Sequence, residues 1–586
     1  MRPYARLYGL GLVFSLVVAS PCRGAQTSGD PSCSAGATVD PIEARIAAAD
    51  RENDAAWRRL KTQEQFAAKR DAFRAALRKA LGFDGIVRSP LNARVLGRKD
   101  YGAFRVEKVL LESAPGAYVT ALAFLPDATR FAPPYAGFLF IPGHADEGKG
   151  SSAYLQTCEL GARHGLASVI YDPVGQGERA QGAGIRNADE HVRLGAYAAL
   201  LGETTATVMM RDAVRVFDYF ESRPDIDRTR LGVSGNSGGG TLASYFMAAD
   251  GRVRAAAPSC YLSSVREHVL SCGPQDAEQQ FAGELAWGFN HAGLVFAAKC
   301  PVLVNAAVDD FFQIEGGRAT HRLVRSVASE VGLSADWFAI SEAPGPHGMS
   351  RTHREAAVRF FLRHLRGEER EVVERETTTF VRADHTVTPD GEVARLPGFV
   401  SAYDTYAERF VKEGVSVERA AARAKPLVLR EQAGGDSRFA VDTLRGHVEK
   451  GRRSVLRLGG EPANGEVAAT LFADGARLLG RTFRKGKVSY YERRKDDEVV
   501  AVDLYIEGRS LLALRAAEVL NLTDELHRRT GLRPALVAEG RWTAVAMFAR
   551  AADPAAFADV RLINPPKSYL ESLKTRDYLS FADISL

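Results

Sequence analysis

The chain has 586 residues, 46% of them hydrophobic and 25% charged, with 54 glycines, 25 prolines and 6 cysteines, an ordinary globular composition at a length suited to roughly two to four domains. That excludes a disordered, collagenous or disulfide-stapled chain, and a core of this size needs neither metal nor disulfide to hold it. Lys plus Arg at 77 against Asp plus Glu at 72 leaves a net charge of +5 with no long basic block, so no nucleic-acid partner is expected.

Arg2 and Arg6, the apolar run Leu7 to Ala19 and the small, turn-prone residues through Ala25 have the three-part layout of a secretory signal, cleaved between Ser20 and Ala25. The run is too short to span a bilayer as a mature helix, and no other segment approaches about eighteen uninterrupted apolar residues. A secreted or periplasmic protein with no membrane span after signal removal is therefore expected. Pro21 argues against a lipid anchor at Cys22. Residues 26–40 are small and polar, a tether.

From Pro41 to about Leu81 the pattern is helical and highly charged, with Ile42, Ile46, Ala49, Phe66, Phe73, Leu77 and Leu81 on apolar faces. The period then changes: Phe104 to Val109 alternates as a half-buried strand does, and Tyr118 to Leu125 and Gly137 to Ile141 are dense in strand formers. Strands predicted at Ala167–Tyr171, Arg230–Gly235, Val253–Ala257, Pro301–Ala306 and Trp337–Ile340 are interleaved with helices near Thr207–Ser222, Ser237–Ala248 and Thr352–Leu365. Such alternation implies right-handed crossovers and a mostly parallel sheet covered on both faces, with sites at the carboxyl ends of its strands.

The charged stretch 368–382 marks a boundary between a catalytic α/β domain over 41–368 and a second α/β domain over 369–586. The second contains a helix at Ser401 to Ala424, a basic middle around Arg452 to Lys495, and a helix, strand, helix, strand series from Ser510 to Asn564. Within that series, Arg533 to Gly540 followed by Trp542 to Asp553 runs parallel to the strand, turn and helix that end at Asp250, with Gly540 where Ser237 stands. It reads either as a degenerate repeat or as an ordinary β-turn-α unit.

The strand ending at Gly235 runs into Gly235-Asn236-Ser237-Gly238-Gly239 and then a helix, which is G-x-S-x-G in the strand-turn-helix setting that lifts a Ser hydroxyl clear of the backbone. Ser237 is the candidate nucleophile. A Ser at its free pKa needs a His as base and a carboxylate to orient that His. His347, in the loop Pro344-Gly345-Pro346-His347-Gly348 after the last strand, is the candidate base, with His353 in reserve. Asp310, at the end of the strand Pro301 to Ala306, is preferred over Asp309 as the acid, and Glu278 after the preceding strand is a dissenting possibility. For the oxyanion, the N–H of Gly238 supplies one donor and the loop Pro142 to Lys149 the second, through the N–H of Ala145 or His144. The His144 imidazole either lines the pocket or bonds within the loop. No cluster has metal-ligand spacing, so neither metal nor cofactor is expected. The cysteines that remain after processing are odd in number and irregularly spaced, which allows one bridge at most, with buried thiols as the alternative.

The stretches PGHADEGK, YDPVGQGER, SGNSGGGT followed by APSCY, GPQDAEQ, DDFFQIEG and PHGMS, in that order within residues 136–350, resemble the acetyl-xylan-esterase-like branch of the α/β-hydrolases, in particular its secreted bacterial two-domain members. The resemblance implies an α/β-hydrolase fold and a cofactor-free Ser hydrolase. Its substrate would be a small-molecule or carbohydrate ester, often an acetyl ester. Residue by residue it supports Ser237, Asp310 and His347. Two other readings compete: a serine peptidase of the prolyl-peptidase type, against which no repeated β-blade pattern precedes residue 136, and a carbohydrate-binding pseudo-hydrolase. The second domain, with Gly540 in place of a Ser, is expected to be non-catalytic.

Overall fold

The computed structural model describes residues 42–182, 184–199, 201–271, 277–334, 336–413, 453–458, 466–469, 511–540 and 542–564, with a few isolated positions between 429 and 450. The expected signal and tether, and most of the basic middle, lie outside them.

Two helices open the described chain, α1 (Ile42–Arg58) and α2 (Gln63–Ala80). Thr62 caps α2 by accepting from the Gln65 N–H. A meander follows, β1 (Arg94–Asp100), β2 (Phe104–Ala114) and β3 (Ala117–Pro126), each antiparallel to the last. Next come β4 (Tyr135–Ile141), α3 (Ser152–Arg163), β5 (Ala167–Tyr171), α4 (Asn187–Ala199), α5 (Thr205–Glu221), β6 (Ile226–Asn236), α6 (Gly238–Ala249) and β7 (Ala255–Ser259). The domain continues with α7 (Val265–Ser271), α8 (His291–Ala297), β8 (Val302–Asp309), α9 (Ile314–Glu330), β9 (Phe338–Pro346) and α10 (Arg351–Phe361).

These strands form one nine-stranded sheet in the order β1-β2-β3-β5-β4-β6-β7-β8-β9. It is antiparallel from β1 to β5 and parallel from β5 to β9. The exchange of β4 and β5, with β3 antiparallel beside them, is the strand order of the α/β-hydrolase fold. Every residue of β4, β5 and β7 is buried, because helices cover both faces of the parallel part and leave no wet side for polar alternation.

The helices α1 and α2 dock on that domain through aromatic packing and paired charge. Trp57 packs on Phe296 with ring centroids 4.5 Å apart and donates through its indole N–H to Asn290 Oδ1. Arg266 reaches Asp50 at 2.7 Å and Asp54 at 2.9 Å.

Beyond α10 the chain stays on the first sheet's domain. Glu374 pairs with Arg354, the Thr378 N–H donates to Glu159, and Lys99 meets Asp384. The N–H groups of Val387 and Thr388 donate to Glu178, and that of Ala402 to Gln181. Two helices lie here, α11 (Arg382–His385) and α12 (Ala402–Glu413), the latter inside the stretch where a longer helix is expected.

The second sheet has five strands, β10 (Leu444–Arg445), β11 (Val455–Leu458), β12 (Glu466–Ala469), β13 (Ala535–Glu539) and β14 (Asp559–Ile563), ordered β10-β12-β11-β13-β14. Only β10 is antiparallel to its neighbour. The expected strand, turn and helix at Gly540 is present: β13 leads through Gly540, at φ 59°, into a helix over Trp542–Ala552. No described helix is long and apolar enough to cross a membrane.

Candidate active site

Strand register fixes which residues meet. Ile141 on β4 pairs with Gly235 on β6, Asn236 with Ser259 on β7, Ser259 with Asn305 on β8, and Asp309 with Pro346 on β9. Each strand ends at or near these pairs, so the residues just beyond them, Gly143, Ser237, Cys260, Asp310 and His347, emerge along one edge of the sheet at the carboxyl ends of its parallel strands.

The sharpest feature of that edge is the turn from β6 into α6. Ser237 caps α6 at φ 58°, ψ −126°, a conformation that costs a non-glycine residue roughly 1–3 kcal/mol and is kept where the surrounding structure enforces it. The flanking glycines are the enforcement. A β carbon on Gly235 would lie 2.2 Å from the Gly239 carbonyl oxygen, and one on Gly239 would lie 1.9 Å from that of Ile141. Neither position admits a side chain while β4 and α6 stay in place. The Ser237 N–H donates to Ser259 O at 3.0 Å, tying the turn to β7.

His347 Nδ1 lies 2.9 and 3.0 Å from the two carboxyl oxygens of Asp310. Asp310 is almost wholly buried, while a fifth of the His347 side chain is exposed. Asp310 Oδ1 also accepts from the Phe312 N–H at 2.9 Å, which fixes the carboxylate. An ionised carboxylate only accepts, so Nδ1 carries the proton and Nε2 presents a lone pair. Phe311 stacks on the imidazole with centroids 4.2 Å apart. Asp309, one residue earlier, is exposed on the strand end.

His353 is fully buried and pushed below the ordinary imidazole range, chiefly by that burial. Its Nδ1–H donates to Gly348 O at 3.1 Å, so it braces the loop that carries His347. No hydrogen bond joins Ser237 Oγ to His347 among the described residues; such bonds are often long before substrate binds and tighten in the reacting complex. Cys260 bridges the two sides. It follows Ser259, its Sγ–H donates to Gly348 O at 3.5 Å, and its sulfur lies within 4.8 Å of the reactive atoms of Asp310 and His347. Burial, and then the Asp310 charge, push its thiol far up, so it stays protonated.

The loop after β4 lies against the turn, since a β carbon on Gly143 would be 2.3 Å from Asn236 O and 2.8 Å from Ser237 Cβ. Gln176 Nε2 donates to Gly143 O at 2.7 Å and to Ala145 O at 3.1 Å. The peptide is planar and trans, so the His144 N–H points away from Gln176. At the start of α6 the Gly238 N–H is one of the donors that a helix leaves without an internal partner.

Sequence reasoning missed what anchors this loop. Lys149, only 1% exposed, lies 2.6 Å from both Asp172 and Glu178. Burial alone would lower its pKa, but the two carboxylates outweigh burial and raise it. Asp172 further accepts from the Lys149 N–H and from Thr120 Oγ1. Gly148 and Gly177 give it room, because a β carbon on either would lie within 2.2 Å of Asp172 Oδ1. The signal was available: these residues are the polar members of PGHADEGK and YDPVGQGER.

Within the described residues, Glu278 is not among the partners of His347, which bonds to Asp310. Glu278, fully buried, sits with His144 and His191. No metal-ligand spacing exists in the sequence, yet the fold brings this trio together from three distant segments. A second trio, Cys260, Asp310 and His347, is equally close. Its carboxylate and imidazole already bond to each other and its thiol is protonated, which leaves it ill suited to a cation. Cys158, Cys260 and Cys300 are free buried thiols, which fits the buried-thiol alternative at those positions; Cys33 and Cys272 lie outside the described residues.

No protein-family model matches the chain, and no curated protein matches it. Among solved structures it is similar to Methylesterase BT1017, at 20% identity over 63% of this chain and 79% of that one, with a TM-score of 0.49. It is also similar to a glucuronoyl esterase from Solibacter usitatus, at 16% identity over 51% and 93% with a TM-score of 0.38. A third is an acetyl xylan esterase from Paenibacillus sp. R4, at 19% identity over 53% and 99% with a TM-score of 0.37. The strand order and the turn at Ser237, rather than these likenesses, carry the fold assignment.

Proposed function

We propose that the chain is a serine esterase that hydrolyses carboxylic esters through an acyl-enzyme, with Ser237 as nucleophile, His347 as general base and acid, and Asp310 as the group that orients His347. The observation that carries this reading is the Asp310–His347 pair at 2.9 and 3.0 Å, at the ends of β8 and β9 on the sheet edge where a Ser is held at a positive φ after β6.

The chemistry follows from the protonation states. Ser237 Oγ attacks the ester carbonyl carbon as its proton passes to His347 Nε2, and Asp310 stabilises the imidazolium through Nδ1–H. The developing oxyanion is met by the Gly238 N–H and by an N–H of the loop at His144 or Ala145, donors already in place before the charge appears. The His347 proton then goes to the departing alkoxide. Water, deprotonated by the same Nε2, attacks the acyl carbon and frees Ser237. Asp310, rather than Asp309 or Glu278, serves as the acid, because it alone of the three bonds to the base.

Acetyl esters of carbohydrates are the proposed substrate class, on the resemblance carried by the motifs between residues 136 and 350, and residues 1–25 support export of the mature chain. The second sheet is proposed to be non-catalytic, since Gly540 occupies its strand-to-helix turn. The test is a release assay with purified mature protein over acetylated xylo-oligosaccharides, methyl glucuronates, short nitrophenyl esters and dipeptide amides. Turnover of the nitrophenyl and acetyl-sugar esters with none of the amides is expected; preferential cleavage of the amides would overturn the esterase reading in favour of a peptidase.

A further inference from the structure

His144 from the loop after β4, His191 from α4 and Glu278 from the short turn Ala277–Gln279 converge beside the start of α6. His144 Nε2 lies 3.1 Å from His191 Nδ1 and 3.5 Å from Glu278 Oε1, and His191 Nδ1 lies 3.8 Å from Glu278 Oε2. A tetrahedral cation with bonds of about 2.0–2.2 Å holds its nitrogen and oxygen donors roughly 3.2–3.6 Å apart. The two ring nitrogens and the Glu278 carboxylate, which turns a different oxygen toward each ring, therefore already stand close to the donor spacing of one face of such a polyhedron, and one atom from each residue lies within 4.8 Å of the others.

The surroundings are built to present those atoms. His191 Nε2 lies 2.8 Å from Val174 O; a carbonyl can only accept, so Nε2 carries the hydrogen and Nδ1 turns its lone pair toward the cluster. A ring nitrogen tied to a backbone carbonyl while the other faces the ion is the usual support of a metal-bound imidazole. Thr205 Oγ1 donates to His191 O at 2.7 Å and fixes the backbone behind the ring. His191 and Glu278 are both fully buried, whereas about a fifth of the His144 side chain is exposed. That exposure gives a path of entry.

We propose that His144, His191 and Glu278 form a binding site for one divalent transition-metal cation of the zinc class. The chain supplies three ligands, and a fourth position is left open on the side where His144 meets solvent. The site adjoins the turn at Ser237, since a β carbon on Gly238 would lie 2.7 Å from His144 Cε1 and 2.8 Å from Glu278 Oε1. The binding does not depend on what Ser237 acts upon.

The experiment takes the full-length protein, dialysed against a chelator and then freed of it, and titrates it with Zn²⁺ by calorimetry and with Co²⁺ by visible absorption. One equivalent of Zn²⁺ and the intense visible bands of tetrahedral Co²⁺ are expected. His144→Ala and the near-isosteric Glu278→Gln should each weaken Zn²⁺ binding by about 100-fold or more, at least the loss seen for supporting residues around a metal. His347→Ala should leave it unchanged. Absence of stoichiometric binding by the unaltered protein overturns the proposal. So does loss of binding in His347→Ala with retention in His144→Ala or Glu278→Gln, which would move the ion to Cys260, Asp310 and His347.

Discussion

Ser237 is held at φ 58° because Gly235 and Gly239 let β4, β6 and α6 approach closer than any side chain allows. Ser237→Ala keeps that geometry and removes only the hydroxyl, so ester turnover should fall by roughly a thousandfold or more with an unchanged melting temperature. Gly239→Ala does the opposite. Its methyl would sit 1.9 Å from the Ile141 carbonyl oxygen, so stability and turnover should fall together, by about 1–3 kcal/mol in the former, as a denaturant titration would register. Asp310→Asn should lower turnover strongly with little change in melting temperature, because the amide no longer fixes the His347 tautomer. Asp309→Asn, on an exposed side chain, should be near neutral; reversal of the two would move the acid by one residue. That Ser237, Asp310 and His347 lie beyond the carboxyl ends of parallel strands was legible in the sequence, whereas the extent of β9 was not: it runs on to Pro346 through the partly exposed stretch expected to be a loop, because Ser, Glu, Pro and Gly break the apolar run there. Nor was His191, because nothing local in an α-helical stretch tells that its ring will meet a loop 47 residues earlier.

Most elements of the first sheet were legible for the same reason: a buried parallel strand must be a continuous apolar run, and β4 and β5 are buried along their whole length. The strand β1 was missed because it lies at the sheet edge and is almost wholly exposed, so it carries no apolar alternation to read. The loop after β4 shows how a motif can be recognised while its purpose is not. PGHADEGK looks like an oxyanion loop, but its Lys is also the cation that pairs with Asp172 and Glu178 in the interior. Lys149→Met would leave two buried carboxylates facing each other, a change that typically costs about 3–5 kcal/mol. Thermal melts should show that loss, and turnover should fall as the loop carrying His144 and Ala145 loosens. A melting temperature close to that of the unaltered protein would mean that the loop is held by other means.

For the whole molecule, the segment that follows α10 is tied by hydrogen bonds and ion pairs to residues of the first sheet's domain. Stopping the chain at 368 would strip Glu374 from Arg354, Thr378 from Glu159, and Val387 and Thr388 from Glu178. A chain ending at 413 keeps all of these. The longer fragment is expected to stay soluble and turn over a nitrophenyl ester, and the shorter one to aggregate or melt early; equal behaviour would show that the contacts past α10 carry little stability. The charged run at 368–382 suggested a boundary in the sequence because charge usually marks a solvated linker, whereas here Glu374 is paired and buried. A pH dependence should come from Glu284, fully buried and raised to about 8 chiefly by that burial. The folded chain keeps a proton that the unfolded chain releases near its ordinary value of about 4.3, so stability falls as pH rises between those values, by up to about 1.4 kcal/mol per unit. Glu284→Gln should therefore gain melting temperature relative to the unaltered protein between pH 5 and pH 8.5, and a gap that stays constant would contradict a neutral buried carboxyl. If one hydroxyl does the covalent chemistry, a fluorophosphonate should capture it: the full chain is reacted with the reagent, then peptide mapping and residual ester turnover are read on the same sample. One equivalent of label on Ser237, with turnover lost in proportion to labelling, is expected. Full labelling of Ser237 with turnover intact, or loss of turnover with the label on another residue, would contradict Ser237 as the nucleophile.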